Sequence, residues 1–372
     1  MPTTVVEVRT QILDLPIIRA HKLSLAHMAR QSMVLVRIRT SDGIEGLGEA
    51  TTIGGLSYGG ESPESTKLNI DTYIAPLLLG QPDSSPGRLM ARIDKAVKDN
   101  RFAKSAIETA LFDVLGKRLG VPLGTLLGGA LRQEVPVAWT LASGDTGKDI
   151  AEAQQMLETR RHNTFKLKVG LNPVRQDLEH IAAIKEAVGE DISVRIDVNQ
   201  GWSECEASWA LRPLAGVGVD LLEQPIHEKH RDGLRRLASR GILPIMADES
   251  LKGPEDGFAL ARDHCADVFA IKIEQAGGLR AAQALIGIAQ AAGIALYGGT
   301  MLEGPISTIA SAHLFSTVDR LEWGTELFGP LLMKDSILAE PLDYSDSTLK
   351  VPQGPGLGLT LDEDKVRHYT RD

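Results

Sequence analysis

The sequence predicts an α/β protein, a (β/α)8-type barrel preceded by an N-terminal α+β domain. Three observations carry this. From Pro136 onward, eight short apolar or β-rich runs alternate with amphipathic helical stretches. Charged residues recur near the ends of five successive runs at a nearly constant pitch. The chain has 372 residues, more than the roughly 250 to 300 at which a single core stops growing, so more than one domain is expected.

The first domain is expected over residues 1–130. Residues 4–13 and 33–40 read as strands; VLVRIRT alternates cleanly and SDG (41–43) follows as a turn. From Ser62 to Leu119 the pattern is helical. FAKSAIETALFDVLGKRLG places apolar residues at helical spacing and stops at Gly120.

The barrel is expected over residues 131–330. Its strand runs are 137–142, 165–169, 194–198, 221–225, 244–248, 268–273, 294–298 and 322–326. Between them lie helices such as VRQDLEHIAAIKEAVG and LRAAQALIGIAQAAG. A doubly wound open sheet is the competing architecture, but it usually has fewer such units. The steps from Lys168 to Asp197, Glu223, Asp248 and Lys272 are 29, 26, 25 and 24 positions. Each residue falls near the C-terminal end of its strand, where barrels build active sites. Beyond Leu331 the rhythm stops, and residues 331–372 are expected to pack back on the first domain.

Bulk properties exclude some functions. The net charge is −9 and the pI about 5.6, which argues against nucleic acid or an anionic membrane as partner. A local cluster can still attract a small anion. Cys205 and Cys265 form no metal-binding spacing or disulfide framework, and thiols in a reducing cytoplasm are expected. MPTTVVEVRT lacks the pattern of a signal peptide. The charge-free stretch from Ala281 to Leu302 has the length of a membrane span, but its glutamines and glycines favour a helix turning into a strand near Gly293. G-x-S-x-G, P-loop, HExxH and G-x-G-x-x-G signatures are missing.

The pitch points to chemistry. Three carboxylates converging in a barrel mouth repel unless a cation holds them. Oxygen ligands alone select a hard divalent ion, Mg²⁺ or Mn²⁺. Asp197, Glu223 and Asp248 are therefore candidate metal ligands, leaving positions open for substrate. The plainer alternative is three structural ion pairs with neighbouring lysines. In FKLKVG, Lys166 and Lys168 share one face of a strand, and Lys272 arrives from the other side. Burial, a like charge and a nearby dication would lower a lysine pKa, while the carboxylates would raise it. A lysine brought near neutrality can serve as acid or base.

FKLKVG, RIDVNQGW, LLEQPI, IMADES, AIKIEQAGG, YGGTMLEGPIST and WGTELFGP, in this order, resemble the muconate-lactonizing subgroup of the enolase superfamily. The likeness covers nearly the whole chain, including GEATTIGGLSYGGESPES and GLGLTLDEDKV. It implies a modified, enolase-like barrel with a capping domain. It also implies metal-dependent cycloisomerisation of cis,cis-muconate to muconolactone through an enediolate intermediate, in aromatic catabolism. A lysine acid/base working beside a divalent ion is the general pattern of such sites.

Carried over by position, the resemblance implies that Asp197, Glu223 and Asp248 bind the metal and Lys168 is the acid/base. Lys166 assists it and contacts the substrate carboxylate. Lys272 gives electrostatic support from the opposite face. Asn199 and Glu249 are supporting partners, with Glu249 pairing with Lys272, and Glu326 faces the substrate. Lid loops near 19–30 and 50–60 set specificity, with Ile53 and Tyr58 as contacts. The partner is a small dicarboxylate, and the assembly a homo-oligomer such as an octamer. Glu274 and Gln275, after Lys272, depart from the family pattern, which bears on substrate preference. Rival readings on the same site are a chloromuconate cycloisomerase, a dipeptide epimerase, an N-acylamino acid racemase or an o-succinylbenzoate synthase. A catalytically silent barrel that binds or assembles is the reading from another class.

Overall fold

Strand and helix do alternate from Glu134 onward, and the strands curl into a barrel. The structure, a computed structural model, describes residues 3–22, 27–83 and 85–371. The N-terminal part is an antiparallel sheet of β1 (Val5–Lys22), β2 (His27–Thr40) and β3 (Glu45–Thr51), in that order. Helices Pro63–Asn69, Pro86–Ala96 and Arg101–Leu119 cover it.

GIEGLGEA acquires a structural meaning here. A Cβ on Gly46 would lie 2.1 Å from the Ala110 carbonyl oxygen, and one on Gly48 1.9 Å from that of Ala106. The glycines let β3 lie directly against the helix Arg101–Leu119. That helix ends where expected, at Gly120 with φ 68°, a conformation glycine adopts without strain.

Two N-terminal expectations change. β1 and β2 run well beyond 4–13 and 33–40, so most of the segment 19–30, expected as a loop, forms the arms of one hairpin; residues 23–26 lie outside the described residues. Pro16 and the register shift between Pro16 and His21 hide this continuation from an alternation test. β3 carries two glycines, Gly46 and Gly48, and strand-forming residues are sparse there.

In the barrel, β4 (Glu134–Pro136) pairs with the tail strand β13 (Thr348–Lys350), itself paired with β12 (Tyr344–Ser345). The parallel sheet is β5 (Trp139–Leu141), β6 (Thr164–Lys168), β7 (Ser193–Asp197), β8 (Leu221–Glu223), β9 (Ile245–Ala247), β10 (Val268–Ile271) and β11 (Ala295–Gly298), in sequential order. The eighth run, 322–326, is reduced to Thr325, which bridges Val137 on one side and Gly298 on the other. Gly324, at φ 63°, breaks the extended run. Hydrogen bonds from Ala138 N to Thr325 O (2.8 Å) and from Glu326 N to Gly298 O (2.9 Å) still close the barrel.

The alternation of FKLKVG is resolved by this closure. Phe165 and Leu167 are fully buried in the main apolar core, where each such side chain stabilises the fold by about 1.5–3 kcal/mol. The lysines take the other face, into the barrel. A smaller apolar cluster of Leu221, Met246, Val268, Ala270 and Tyr297 forms beneath them.

Ala281–Leu302 holds the helix Leu279–Ala292, a stop at Gly293 and β11, as expected. Among the described residues no helix is long and apolar enough to cross a membrane. The tail touches the first sheet: Arg371 N donates to Ile12 O at 2.8 Å, and its guanidinium pairs with Asp14 at 2.6 Å.

Candidate active site

Asp197 ends β7, Glu223 ends β8 and Asp248 follows β9, so three neighbouring strands deliver a carboxylate to one end of the barrel. One oxygen from each lies within 4.8 Å of the others, and all three side chains are buried. Each also meets a lysine. Lys168 Nζ is 2.5 Å from Asp197 Oδ2, Lys166 Nζ 2.9 Å from Glu223 Oε2 and Lys272 Nζ 2.6 Å from Asp248 Oδ1. The ion-pair alternative is thus partly realised.

Ion pairing alone does not account for the cluster. Asp197, Glu223, Asp248, Glu249 and Glu326 are five buried carboxyls set among three lysines. Fully ionised, the five would exceed the lysines by two negative charges, which one divalent cation would balance; with no cation, burial and repulsion favour the neutral acid at some of them. Glu223 Oε1 is buried and has no hydrogen-bond partner, an arrangement that is costly without a ligand. The all-oxygen donor set suits a hard ion. These residues fit a divalent metal.

The electrostatics follow from burial and neighbours. Burial raises the Asp197 pKa, but Lys168 and Lys166 outweigh it and hold the carboxyl at about 2. Burial, then Asp197, pushes Glu223 well above the carboxylate range. Burial, Asp248 and Asp197 push Glu249 up to about 8. Lys166 and Lys272 move up, not down: burial opposes their charge, but Glu223 and Glu326 outweigh it at Lys166, and Asp248 with Glu223 at Lys272. At these two lysines the carboxylates outweigh burial.

Lys168 lines a small cavity together with Ile53, Tyr58, Thr140, Lys272, Thr300, Leu302, Glu326 and Phe328. Lys168 comes from β6 and Lys272 from the end of β10, with three strands between them around the barrel, so the two side chains reach the cavity from different walls. Lys166 is not among the lining residues; it is only 1% exposed and bound to Glu223, Asp197 and Glu326. Tyr58 brings the loop after β3 onto the site: its hydroxyl donates to Asp248 Oδ2 at 2.5 Å and accepts from Lys272 Nζ at 3.0 Å.

Asn199 holds a left-handed backbone, φ 43°, which a non-glycine residue keeps only when its surroundings fix it. Its amide N–H donates to Asp197 Oδ1 (2.8 Å), its side chain accepts from Lys168 Nζ (3.1 Å) and donates to Glu249 Oε1 (3.2 Å). Glu249 therefore bonds to Asn199, and the ion-pair partner of Lys272 is Asp248. The expected Glu249–Lys272 pair is replaced because the Asp248 carboxyl spans both Lys272 and Tyr58.

Residues read as pocket-forming from charge alone left out Thr140, Thr300, Leu302 and Phe328. Thr140 and Thr300 sit in strand-end motifs, VAWTLA and YGGTMLEG; position, not charge, was the available signal. Arg19 was missed too. It reaches from the β1–β2 hairpin to the Thr140 carbonyl at 2.8 Å and to Glu152 at 2.9 Å. Gln275 donates to Asp248 O and Leu251 O, both at 2.8 Å, and so braces the loop that carries a triad member. A surface groove of about 1000 Å³ lies at the other end of the strands, lined by Arg235, Arg236 and Arg262 among others; none of this chemistry is there.

Comparison with known proteins agrees with the geometry. Residues 4–128 match the mandelate racemase / muconate lactonizing enzyme N-terminal domain, and residues 148–365 the Enolase C-terminal domain-like family. Muconate cycloisomerase 1-1 of Acinetobacter lwoffii is 57% identical over 369 residues, covering 99% of this chain and 97% of that protein. A chloromuconate cycloisomerase of Pseudomonas sp. (strain P51) is 44% identical, covering 98% of each. The solved structure of muconate lactonizing enzyme from Pseudomonas fluorescens with muconolactone superimposes with a TM-score of 0.99 at 56% identity, covering all of both chains. The chain belongs to the enolase superfamily, among the muconate-lactonizing enzymes that join a capping N-terminal domain to an enolase-like barrel.

Proposed function

We propose that this chain is a muconate cycloisomerase, closing cis,cis-muconate to muconolactone. The observation that carries this is the Asp197–Glu223–Asp248 triad in contact with Lys168 and Lys272, which line one cavity beneath Ile53 and Tyr58, in a chain 57% identical over nearly its whole length to a protein of that name.

Asp197, Glu223 and Asp248 would hold the metal, which we take to be Mg²⁺ or Mn²⁺. The ion supplies positive charge that stabilises a carboxylate as negative charge builds beside it. One carboxylate oxygen of the diacid adds to the double bond, forming the ring C–O bond. The carbon beside the other carboxylate gains the electron pair and takes a proton from Lys168 Nζ. Lys168 regains its proton from water, and the lactone acid has the same composition as the diacid, so the reaction is an isomerisation. Lys272 faces the same charge from the other wall. Glu326, bound to Lys166, keeps that lysine inside the barrel. Ile53 and Tyr58 close over the cavity, and exclusion of water strengthens every charge within it.

Incubation with cis,cis-muconate and Mn²⁺, followed by absorbance and by product NMR in heavy water, tests the reading. Loss of the diene and one deuteron in muconolactone is the expected result. A panel with chloromuconate, a dipeptide, an N-acylamino acid and the o-succinylbenzoate precursor separates the relatives of this site; a faster reaction with any of these would replace the assignment. We further propose a cytoplasmic homo-oligomer, such as an octamer. Free Cys205 and Cys265 suit a reducing compartment, and light scattering measures the assembly.

A further inference from the structure

We propose that Glu49, Glu274 and Glu303 act together as a proton-holding clamp that positions the lid and the pocket wall for the reaction. The clamp rests on the functional reading above only through its effect on turnover.

The three come from different parts of the fold. Glu49 is on β3 of the capping domain, Glu274 follows Lys272, and Glu303 lies between β11 and the helix Pro305–Ser316. All are fully buried. None forms an ion pair with a lysine, arginine or histidine among the described residues. Glu274 Oε1 and Glu303 Oε1 have no hydrogen-bond partner. The charged and titratable groups that face them are one another, Lys272 and Tyr344. Lys272 is held by Asp248, and the Tyr344 hydroxyl donates to Leu327 O at 2.6 Å.

Three ionised carboxylates cannot share such a volume without a cation. The neutral acid form resolves this, and burial and mutual repulsion favour it. Burial pushes Glu49 up to about 7; burial, then Glu303 and Glu49, push Glu274 well above the carboxylate range. Burial likewise raises Glu303.

What the cluster grips gives it a role. Glu274 Oε2 accepts from Thr51 N at 2.9 Å. Glu49 Oε1 accepts from Thr51 Oγ1 at 2.8 Å, and Glu49 Oε2 from Ile306 N at 3.0 Å. Thr51 ends β3, and the loop carrying Ile53 and Tyr58 begins at the next residue. Glu303 accepts from the Thr300 hydroxyl, and Thr300 lines the cavity. Thr300 N in turn donates to Glu326 Oε1 at 3.3 Å. The seat is built for the acid: a Cβ at Gly304 would lie 2.8 Å from both Glu49 oxygens. The lid root and pocket wall are thus tied through three acids that would repel one another if ionised together.

The sign follows from linkage. Carboxyls whose folded pKa is raised stabilise the fold fully below about pH 4.5, and that stability is lost as pH rises through about 7. The test compares wild type with Glu274→Gln, and with Glu303→Gln as a second variant, at pH 6 and 8.5. Wild type is expected to lose several degrees of Tm and to raise its KM for muconate severalfold at the higher pH. Each glutamine variant removes one titrating acid and its repulsion of the other two, so a smaller change of both kinds than in wild type is expected, with KM at pH 6 near wild type. Equal destabilisation of the variants at both pH values, an unchanged alkaline loss, or failure of both variants to fold at pH 6 would overturn the clamp. The Tm arm needs no substrate, so an enzyme that ignored muconate would still leave the clamp decided.

Discussion

Lys168 Nζ lies 2.5 Å from Asp197 Oδ2, so the proposed proton donor and a proposed metal ligand hold each other in place. Two motifs separated by a helix, FKLKVG and RIDVNQGW, meet in that contact because β6 and β7 pair in parallel with Lys168 opposite Asp197. Glu223 then sits opposite Asp197 on the next strand.

Replacing Lys168 with alanine should remove the proton and spare the triad. Turnover is expected to fall by roughly 10²–10⁴-fold, the usual size of general acid–base catalysis. Mn²⁺ affinity should change little, as followed by calorimetry on the same sample. Turnover within a few-fold of wild type would remove Lys168 from the mechanism.

Arg19 ties the β1–β2 hairpin to the barrel through the Thr140 carbonyl and Glu152, and Glu152 also accepts from Trp139 Nε1 at 2.8 Å. Arg19→Ala should loosen closure over the cavity. The expected signature is a raised KM with kcat within a few-fold of wild type, measured by steady-state kinetics. A loss confined to kcat would place Arg19 in the chemistry instead.

Acid sensitivity should come in part from two buried histidines. Burial lowers His162 and His313 to about 4 from an ordinary 6.5. The folded state keeps them neutral while the unfolded chain protonates, so their stability is full above pH 6.5 and falls away toward pH 4. Each contributes up to about 3 kcal/mol over that window. Glu49 and Glu108, raised to about 7, slope the other way, so a difference measurement is needed. His162 stacks on Trp139 at 5.1 Å, and His162→Phe keeps that stack. Urea unfolding at pH 4.5 and 7 should show a smaller acid loss in the variant than in wild type; an equal loss would exclude His162 as a source.

The barrel and its triad were legible because charge stood out against apolar strands at a regular pitch. Lys166 shows the limit of that signal. Its place on the strand was readable, but its engagement with Glu326 arises from barrel closure, which joins residues 160 positions apart. The eighth strand was overread, since Glu322 and Trp323 form a turn, closed by Gly324 N donating to Leu321 O, which leaves Thr325 to bridge. The hairpin β1–β2 was underread because Pro16 interrupts its alternation. Thr140 and Thr300 were missed because an uncharged hydroxyl at a strand end looks like any other. Glu274 and Gln275 read as departures near the pocket; one proves to grip the lid root and the other to brace the Asp248 loop.

The central claim is that Asp197, Glu223 and Asp248 share one divalent cation. Titration of Mn²⁺ into chelator-stripped protein by calorimetry, paired with thermal melts, tests it most directly. One ion per chain is predicted, with stabilisation of about 2.7 kcal/mol at a hundredfold excess over Kd, and both signals lost in Glu223→Ala. Wild-type protein that takes up no ion, or a Glu223→Ala variant that binds it as tightly as wild type, would contradict the account.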